Sequence, residues 1–244
     1  MSADAPPPLI DPRTRELLAG VGTATLTTAL FKRGLRNVFL QGPRRLAPGP
    51  RMVGFAYTLR TIPAREDVDV LSVFEDRTNP QRRAVEECPE GAVFVIDSRG
   101  DARAASLGGI LAARLMARGC AGIVTDGGFR DSPDIAAMAI PAYHLRPSAP
   151  TNLTRHHPVA VGEPIACGEV AVYPGDVMVG DGEGVVCIPA HLADEVAREG
   201  HEMTVFEDFV EEEVRAGAST FGLYPPTDPA ARERFAAWRH GNGR

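Results

Sequence analysis

Residues able to do chemistry together are concentrated in two short stretches, Gly108-Gly109 and Arg130-Asp131. A helix that opens at the glycine pair leaves its first N–H groups unpaired at the positive end of its dipole, which suits a carboxylate or phosphate. Arg130 offers a planar fork of donors that can grip an oxyanion with two parallel hydrogen bonds. Asp131 is a hard oxygen ligand for Mg²⁺ or Mn²⁺, ions that often take one or two protein carboxylates and keep several waters. Together these residues describe a site for a small 2-oxo acid. Its carboxylate would lie on the helix amides and its carbonyl on the ion, with Arg130 beside developing negative charge. The plainer alternative, at even weight on spacing alone, is a Gly-Gly packing turn and a surface Arg-Asp ion pair.

The elements that must position these residues are legible around them. Residues 92–96 (AVFVI) form an apolar run of buried-strand length. Residues 106–118 carry Ile110, Leu111, Leu115 and Met116 at helical spacing, and Gly119 is placed to close the helix in a left-handed conformation. Residues 121–125 (AGIVT) form the next apolar run. The pattern predicts a βαβ unit with parallel strands, and such units bind ligands beyond the carboxyl ends of their strands. Both candidate stretches fall at that edge. Ser132-Pro133 then reads as an N-cap followed by proline at the first helical position.

The run LGGILAARLMARGCAGIVTDGGFRD, with the later PGDVMVGDGEGVVCIP, resembles the RraA-like family over roughly residues 11–189. That family contains class II 4-hydroxy-4-methyl-2-oxoglutarate aldolases and regulators of ribonuclease E activity. The resemblance implies a compact αββα fold of swivelling-domain type and a homotrimer or a hexamer, with sites between subunits. It implies divalent-metal-dependent retro-aldol cleavage of a 4-hydroxy-2-oxo acid, often with oxaloacetate decarboxylation. Pyruvate would lie on the amides of Gly108, Gly109, Ile110 and Leu111, with Arg130 as substrate ligand and Asp131 as metal ligand. Position 109, where the aldolases carry an Asp that helps to hold water on the metal, is glycine here; Asp101 or Asp97 is the nearby carboxylate that would have to substitute. A Glu of the C-terminal region, Glu212 or Glu213, would approach the metal from a neighbouring subunit. The alternatives are a non-enzymatic ribonuclease regulator and an enzyme acting on a sugar-derived 2-oxo or 2,4-dioxo acid.

Composition narrows the choice. The 244 residues suit one domain, divided into a disordered start (1–10), N-terminal helices (11–45), a core (46–189) and a C-terminal helical extension (190–244). A net charge of −6 argues against direct nucleic-acid binding, which needs clustered basic residues. No apolar run is long enough to span a bilayer, and the N-terminus lacks a signal-peptide core. Four widely spaced cysteines without a C-x-x-C pair fit a reduced, cytoplasmic protein. A Schiff-base aldolase needs a desolvated lysine, and the single lysine, Lys32, stands beside Arg33 near a helix end, so an aldolase on this chain would need a metal. The glycines of GGILAARLMARG lack the spacing of a dinucleotide fingerprint.

Elsewhere the pattern predicts short helices at 14–19 and 22–33, a turn-rich connector at 43–50, a first core strand at 52–62 and a solvated polar stretch at 75–87. A strand is expected at 142–145 with His144 structural, and a loop at 146–154 whose Ser and Asn reach a substrate only if the fold returns it to the site. His156-His157 reads as loop, 158–189 as short strands with Asp181 in a turn, and 190–215 as a long helix with a break expected near Gly200. The aromatics of the tail, Trp238 among them, suggest docking on a partner subunit.

Overall fold

The computed structural model describes residues 10–244. The disorder expected of the Pro-rich start lies outside them, except at Ile10, which packs against two of the hydrophobic cores. In chain order the elements are α1 (Pro12–Gly20), α2 (Thr23–Lys32), β1 (Arg44–Arg45), β2 (Met52–Pro63), α3 (Pro80–Glu87), β3 (Ala92–Asp97), β4 (Ala105–Leu107), α4 (Gly109–Ala117), β5 (Gly122–Thr125), β6 (Gly128–Phe129), α5 (Ser132–Ala136), β7 (Ala142–His144) and β8 (Arg146–Pro147). There follow β9 (His156–Val161), β10 (Ile165–Cys167), β11 (Val170–Val172), β12 (Val177–Gly180), β13 (Val185–Ile188), α6 (Ala193–Arg215) and α7 (Pro229–Gly241). The expected α/β class holds.

An eight-stranded sheet runs β1-β7-β5-β3-β2-β12-β13, with β9 also on β2. Its centre, β2-β3-β5-β7, is parallel. All six residues of β3 are buried, as expected of a central strand covered on both faces. Ala92, Phe94 and Ile96 point into a core shared with α3, α4 and α5, whereas Val93 and Val95 point into one shared with the β10–β11 hairpin. A further core joins α1, α2 and α6 to β12 and β13.

A second, three-stranded parallel sheet, β4-β6-β8, is the feature that builds the site. Each of its strands lies just downstream of a main-sheet strand: β4 after β3, β6 after β5 and β8 after β7. The three chains leave the carboxyl edge of the large sheet, bend, and pair again in the same order. Gly127 sits at the bend of the middle chain, where a Cβ would lie 2.3 Å from Ser106 Oγ and 2.6 Å from Ser98 Cβ. Beneath it Ser98, Ser106 and Thr125 form a buried triangle of hydroxyls with O···O distances of 2.6, 2.9 and 3.0 Å.

The second sheet corrects the expected start of α4. Residues 105–107 are strand, and the helix opens only at Gly109, because Ala105 and Leu107 pair with β6 while Ser106 joins the hydroxyl triangle. The buried face of α4 is Ala112 and Leu115; Ile110 is 85% exposed and Met116 faces outward. Ser132 is the first residue of α5, and Asp131 holds the N-cap position. His156-His157 begins strand β9 and is not loop, with His157 Nδ1 2.8 Å from Asp69 Oδ1. Helix α6 runs unbroken through Gly200, where a Cβ would approach Val21 Cγ1 to 3.0 Å; close packing on the α1–α2 corner outweighs the low helix propensity of glycine.

The tail aromatics also find their partners within this chain. Phe235 and Trp238 of α7 pack on Phe206 and Phe209 of α6, with ring centroids 5.1 to 5.8 Å apart. The acidic face of α6 is partly covered as well, since Glu202, Glu212 and Glu213 receive Arg239, Trp238 and Arg234.

Two buried histidines tie stability to pH. His144 stacks on Phe129 at 5.0 Å, and its Nδ1 is buried without a partner; His156 lies between Arg99 and the Ala104 carbonyl. Burial lowers both below the ordinary imidazole value of 6.5. As pH falls through that value the unfolded chain takes up protons that the folded chain does not, so stability is lost. Asp97 and Asp126, whose carboxyls burial raises, act in the opposite sense at lower pH. The melting temperature should therefore fall more steeply between about pH 7.5 and 5.5 in the wild type than in a His144→Phe/His156→Gln variant; equal slopes would refute this assignment.

Candidate functional site

Pairing of β4, β6 and β8 sets the start of α4 against the Arg130-Asp131 stretch. A cavity of about 220 Å³ opens there, lined by Ser106, Gly108, Ile110, Leu111, Arg130 and Asp131, with Phe74, Gln81, Arg82, Thr151 and Asn152 among the remaining walls. The expected αβ edge is thus the observed one.

Glycines let the two stretches approach. A Cβ on Gly108 would stand 2.9 Å from Arg130 Cγ and 3.1 Å from Asp131 Oδ2, and one on Gly109 would stand 3.2 Å from Asp131 Cβ. A larger residue at 108 would push the arginine off the helix start.

Asp131 adopts the left-handed conformation, φ 56° and ψ 33°, which Asp and Asn tolerate better than most residues. By position its carboxylate belongs on its own helix, α5, yet it makes no capping bond there. Asp131 Oδ2 instead accepts from the Gly109 N–H at 3.0 Å. A carboxylate oxygen of this chain therefore already occupies the first amide of α4, in keeping with the positive end of the helix dipole there. With that amide taken, the amides of Ile110 and Leu111 remain for a ligand, since the first turn of a helix has no internal acceptors for them. Arg130 and Asp131 do not form the surface ion pair of the plainer alternative: their side chains are not within the 4.0 Å that defines one.

A divalent ion has limited support from the protein. Asp131 is the sole carboxylate among the residues lining the cavity, and no group of three or more His, Cys, Asp or Glu side chains suited to a metal exists among the described residues. The donor set fits a one-carboxylate site of the kind Mg²⁺ tolerates when water and substrate complete its shell. Asp101 does not supply a second ligand. It is held by Arg103 at 2.7 Å, which keeps its carboxyl far below the usual range, and it does not line the cavity. Asp97 lies at the end of β3, accepting from the Arg99 N–H, and is also outside the cavity. Glu213 pairs with Arg234 at 3.0 Å within its own chain. Replacing Gly109 by Asp would place a second carboxylate against Asp131. We expect Gly109→Asp to melt a few degrees below wild type in chelator, from like-charge repulsion, and to gain more than wild type on adding Mg²⁺. Equal metal responses in a thermal melt would count against a metal at Asp131.

Other parts of the cavity come from stretches that local pattern assigns to solvent. Residues 75–87 read as a polar face, yet α3 buries Gln81, whose amide donates to the Ser106 carbonyl at 2.6 Å, and turns Arg82 toward the cavity. The signal was Asn79-Pro80, a side-chain cap followed by proline, which starts this helix beside the site. Asn152, with Thr151 beside it, lines the cavity because β8 returns the loop to β6, the condition the sequence set for the Ser and Asn of this loop; Ser148, the other residue of that expectation, does not line it. Lys32 lies on α2, ion-paired with Glu199 at 2.9 Å and outside the cavity.

Comparison with known proteins assigns the family. The RraA-like family model (Aldolase/RraA) matches residues 23–187. A putative 4-hydroxy-4-methyl-2-oxoglutarate aldolase of Halalkalibacterium halodurans is 34% identical over 110 residues, covering 44% of this chain and half of that protein. A second, of Thermus thermophilus, is 33% identical over 122 residues, covering 50% of this chain and 73% of that one. Among solved structures, Streptomyces coelicolor RraAS2, an unusual member of the RNase ES inhibitor RraA family, superposes with a TM-score of 0.74 at 29% identity, over 84% of this chain and 99% of that chain. An uncharacterized protein of Pseudomonas syringae gives the same TM-score at 26% identity, over 86% and 96%. With a match that spans both the glycine-led helix start and the Arg130-Asp131 stretch, this chain belongs to the RraA-like family.

Proposed function

We propose that this chain is a lyase that cleaves a carbon–carbon bond of a small 2-oxo acid: retro-aldol cleavage of a 4-hydroxy-2-oxo acid such as 4-hydroxy-4-methyl-2-oxoglutarate, releasing pyruvate, with oxaloacetate decarboxylation as a related activity. The observation that carries this reading is the convergence of the α4 amides, Arg130 and Asp131 on one cavity. The names of the aldolase relatives point the same way.

In this mechanism the substrate carboxylate rests on the Ile110 and Leu111 amides. Arg130 donates to the oxygen that becomes the enolate as the C3–C4 bond breaks, and its charge is worth most where charge develops. The 4-hydroxyl proton passes to a water held by Asp131, the C4 oxygen becomes a carbonyl, and the enolate is reprotonated at C3 to give pyruvate. Asp131 would hold Mg²⁺ or Mn²⁺, which supplies Lewis-acid polarisation of the 2-oxo group when bound. A homotrimer or a hexamer is proposed with it, as in the family resemblance. The test is pyruvate release from oxaloacetate and from 4-hydroxy-4-methyl-2-oxoglutarate by chelator-treated protein, with and without added Mg²⁺ or Mn²⁺. Release only with metal is expected; none from either substrate would overturn the reading.

A ribonuclease-regulating role is the second reading, favoured by the single carboxylate in the cavity and by the likeness to RraAS2. A regulator would show no turnover, and Arg130→Ala would leave its affinity for its partner intact.

A further inference from the structure

The cavity holds a second cation that the mechanism leaves unused. Arg82 lies across the cavity wall with its guanidinium carbon 4.7 Å from the centre of the Phe74 ring. Its side chain makes no hydrogen bond or ion pair among the described residues, and its Nε is fully buried without a partner. The buried Nε has lost water without gaining a partner, a cost recovered when an acceptor such as a carboxylate arrives. Asn152 lines the same cavity and is 8% exposed. Its amide oxygen accepts from the Thr151 hydroxyl at 3.1 Å, and its amide nitrogen has no partner among the described residues. Arg130 and Arg82 line the same cavity with Asn152 and give it two guanidiniums against one carboxylate, which suits a ligand with two negative groups.

We infer that Arg82 and Asn152 bind the distal carboxylate of the substrate and so select dicarboxylic over monocarboxylic 2-oxo acids. The assignment rests on the 2-oxo acid reading and adds the residues that measure the far end of the molecule. Phe74 holds the guanidinium against its ring face and limits its freedom, which lowers the entropy lost when the carboxylate binds.

Binding of two acids without a 4-hydroxyl group, 2-oxoglutarate and 2-oxobutyrate, measured by calorimetry in Mg²⁺, tests it. Wild type should bind 2-oxoglutarate about tenfold or more tightly than 2-oxobutyrate, the scale of one hydrogen bond between charged groups. Arg82→Met should lose that preference while keeping wild-type affinity for 2-oxobutyrate, and Arg82→Lys should recover part of it, since an ammonium keeps the charge and loses the fork. An Arg82→Met protein that still prefers 2-oxoglutarate, or that weakens both acids equally, would overturn the assignment. If wild type binds 2-oxobutyrate and shows no preference for the second carboxylate, the assignment to Arg82 alone falls; if it binds neither acid, the 2-oxo acid reading falls with it.

Discussion

Arg130→Ala should lower kcat for pyruvate release by about 10²- to 10³-fold, the effect of removing one donor from a developing oxyanion. The structure makes the experiment clean. The Arg130 side chain is exposed and joins no buried cluster, while its backbone N–H bonds to the Leu107 carbonyl at 3.1 Å and survives the substitution. The β4–β6 ladder that places α4 therefore stays, and the melting temperature should move by little. Arg130→Lys keeps the charge without the two-pronged geometry and should fall between wild type and Ala. Turnover unchanged in Arg130→Ala would remove the arginine from the chemistry.

Replacing Asp131 should cost as much, and here the choice of substitute matters. Alanine in the left-handed conformation at φ 56° adds backbone strain of about 1–2 kcal/mol, so a loss of activity in Asp131→Ala would mix misfolding with lost chemistry. Asparagine tolerates that conformation and keeps an oxygen for the Gly109 N–H. Asp131→Asn should therefore fold as wild type and lose metal-dependent pyruvate release by about 10²-fold or more, the upper range of what outer partners of a metal already cost. Near-wild-type release with an unchanged Mg²⁺ response would place the metal elsewhere or remove it from the reaction.

Position 109 bears on both results. With glycine there, Asp131 has no neighbouring carboxylate in the cavity, and its oxygen turns to the helix amide instead. The consequence is a site with excess positive charge, which favours an anionic ligand even before a metal binds. The same balance underlies the role assigned to Arg82.

Much of this was determined by sequence alone, for a local reason. A run such as AVFVI reads as a central strand because its residues are apolar on both faces, and Gly119 ends α4 with φ at 77° because few other residues adopt that angle. The pairing of Gly108-Gly109 with Arg130-Asp131 at one sheet edge follows from βαβ geometry and was legible in the same way. Tertiary structure decided what depends on contacts between distant residues. Residues 105–107 are strand and not helix because they pair with β6; Asp131 caps a helix that is not its own; Trp238 packs on α6 of the same chain. Arg82 and Asn152 enter the cavity because α3 and the loop after β8 converge there, from positions 70 apart in sequence. Local periodicity records which face of an element is apolar, and it carries no information on which distant polar side chains will share a cavity; that is settled only when the strands take their register.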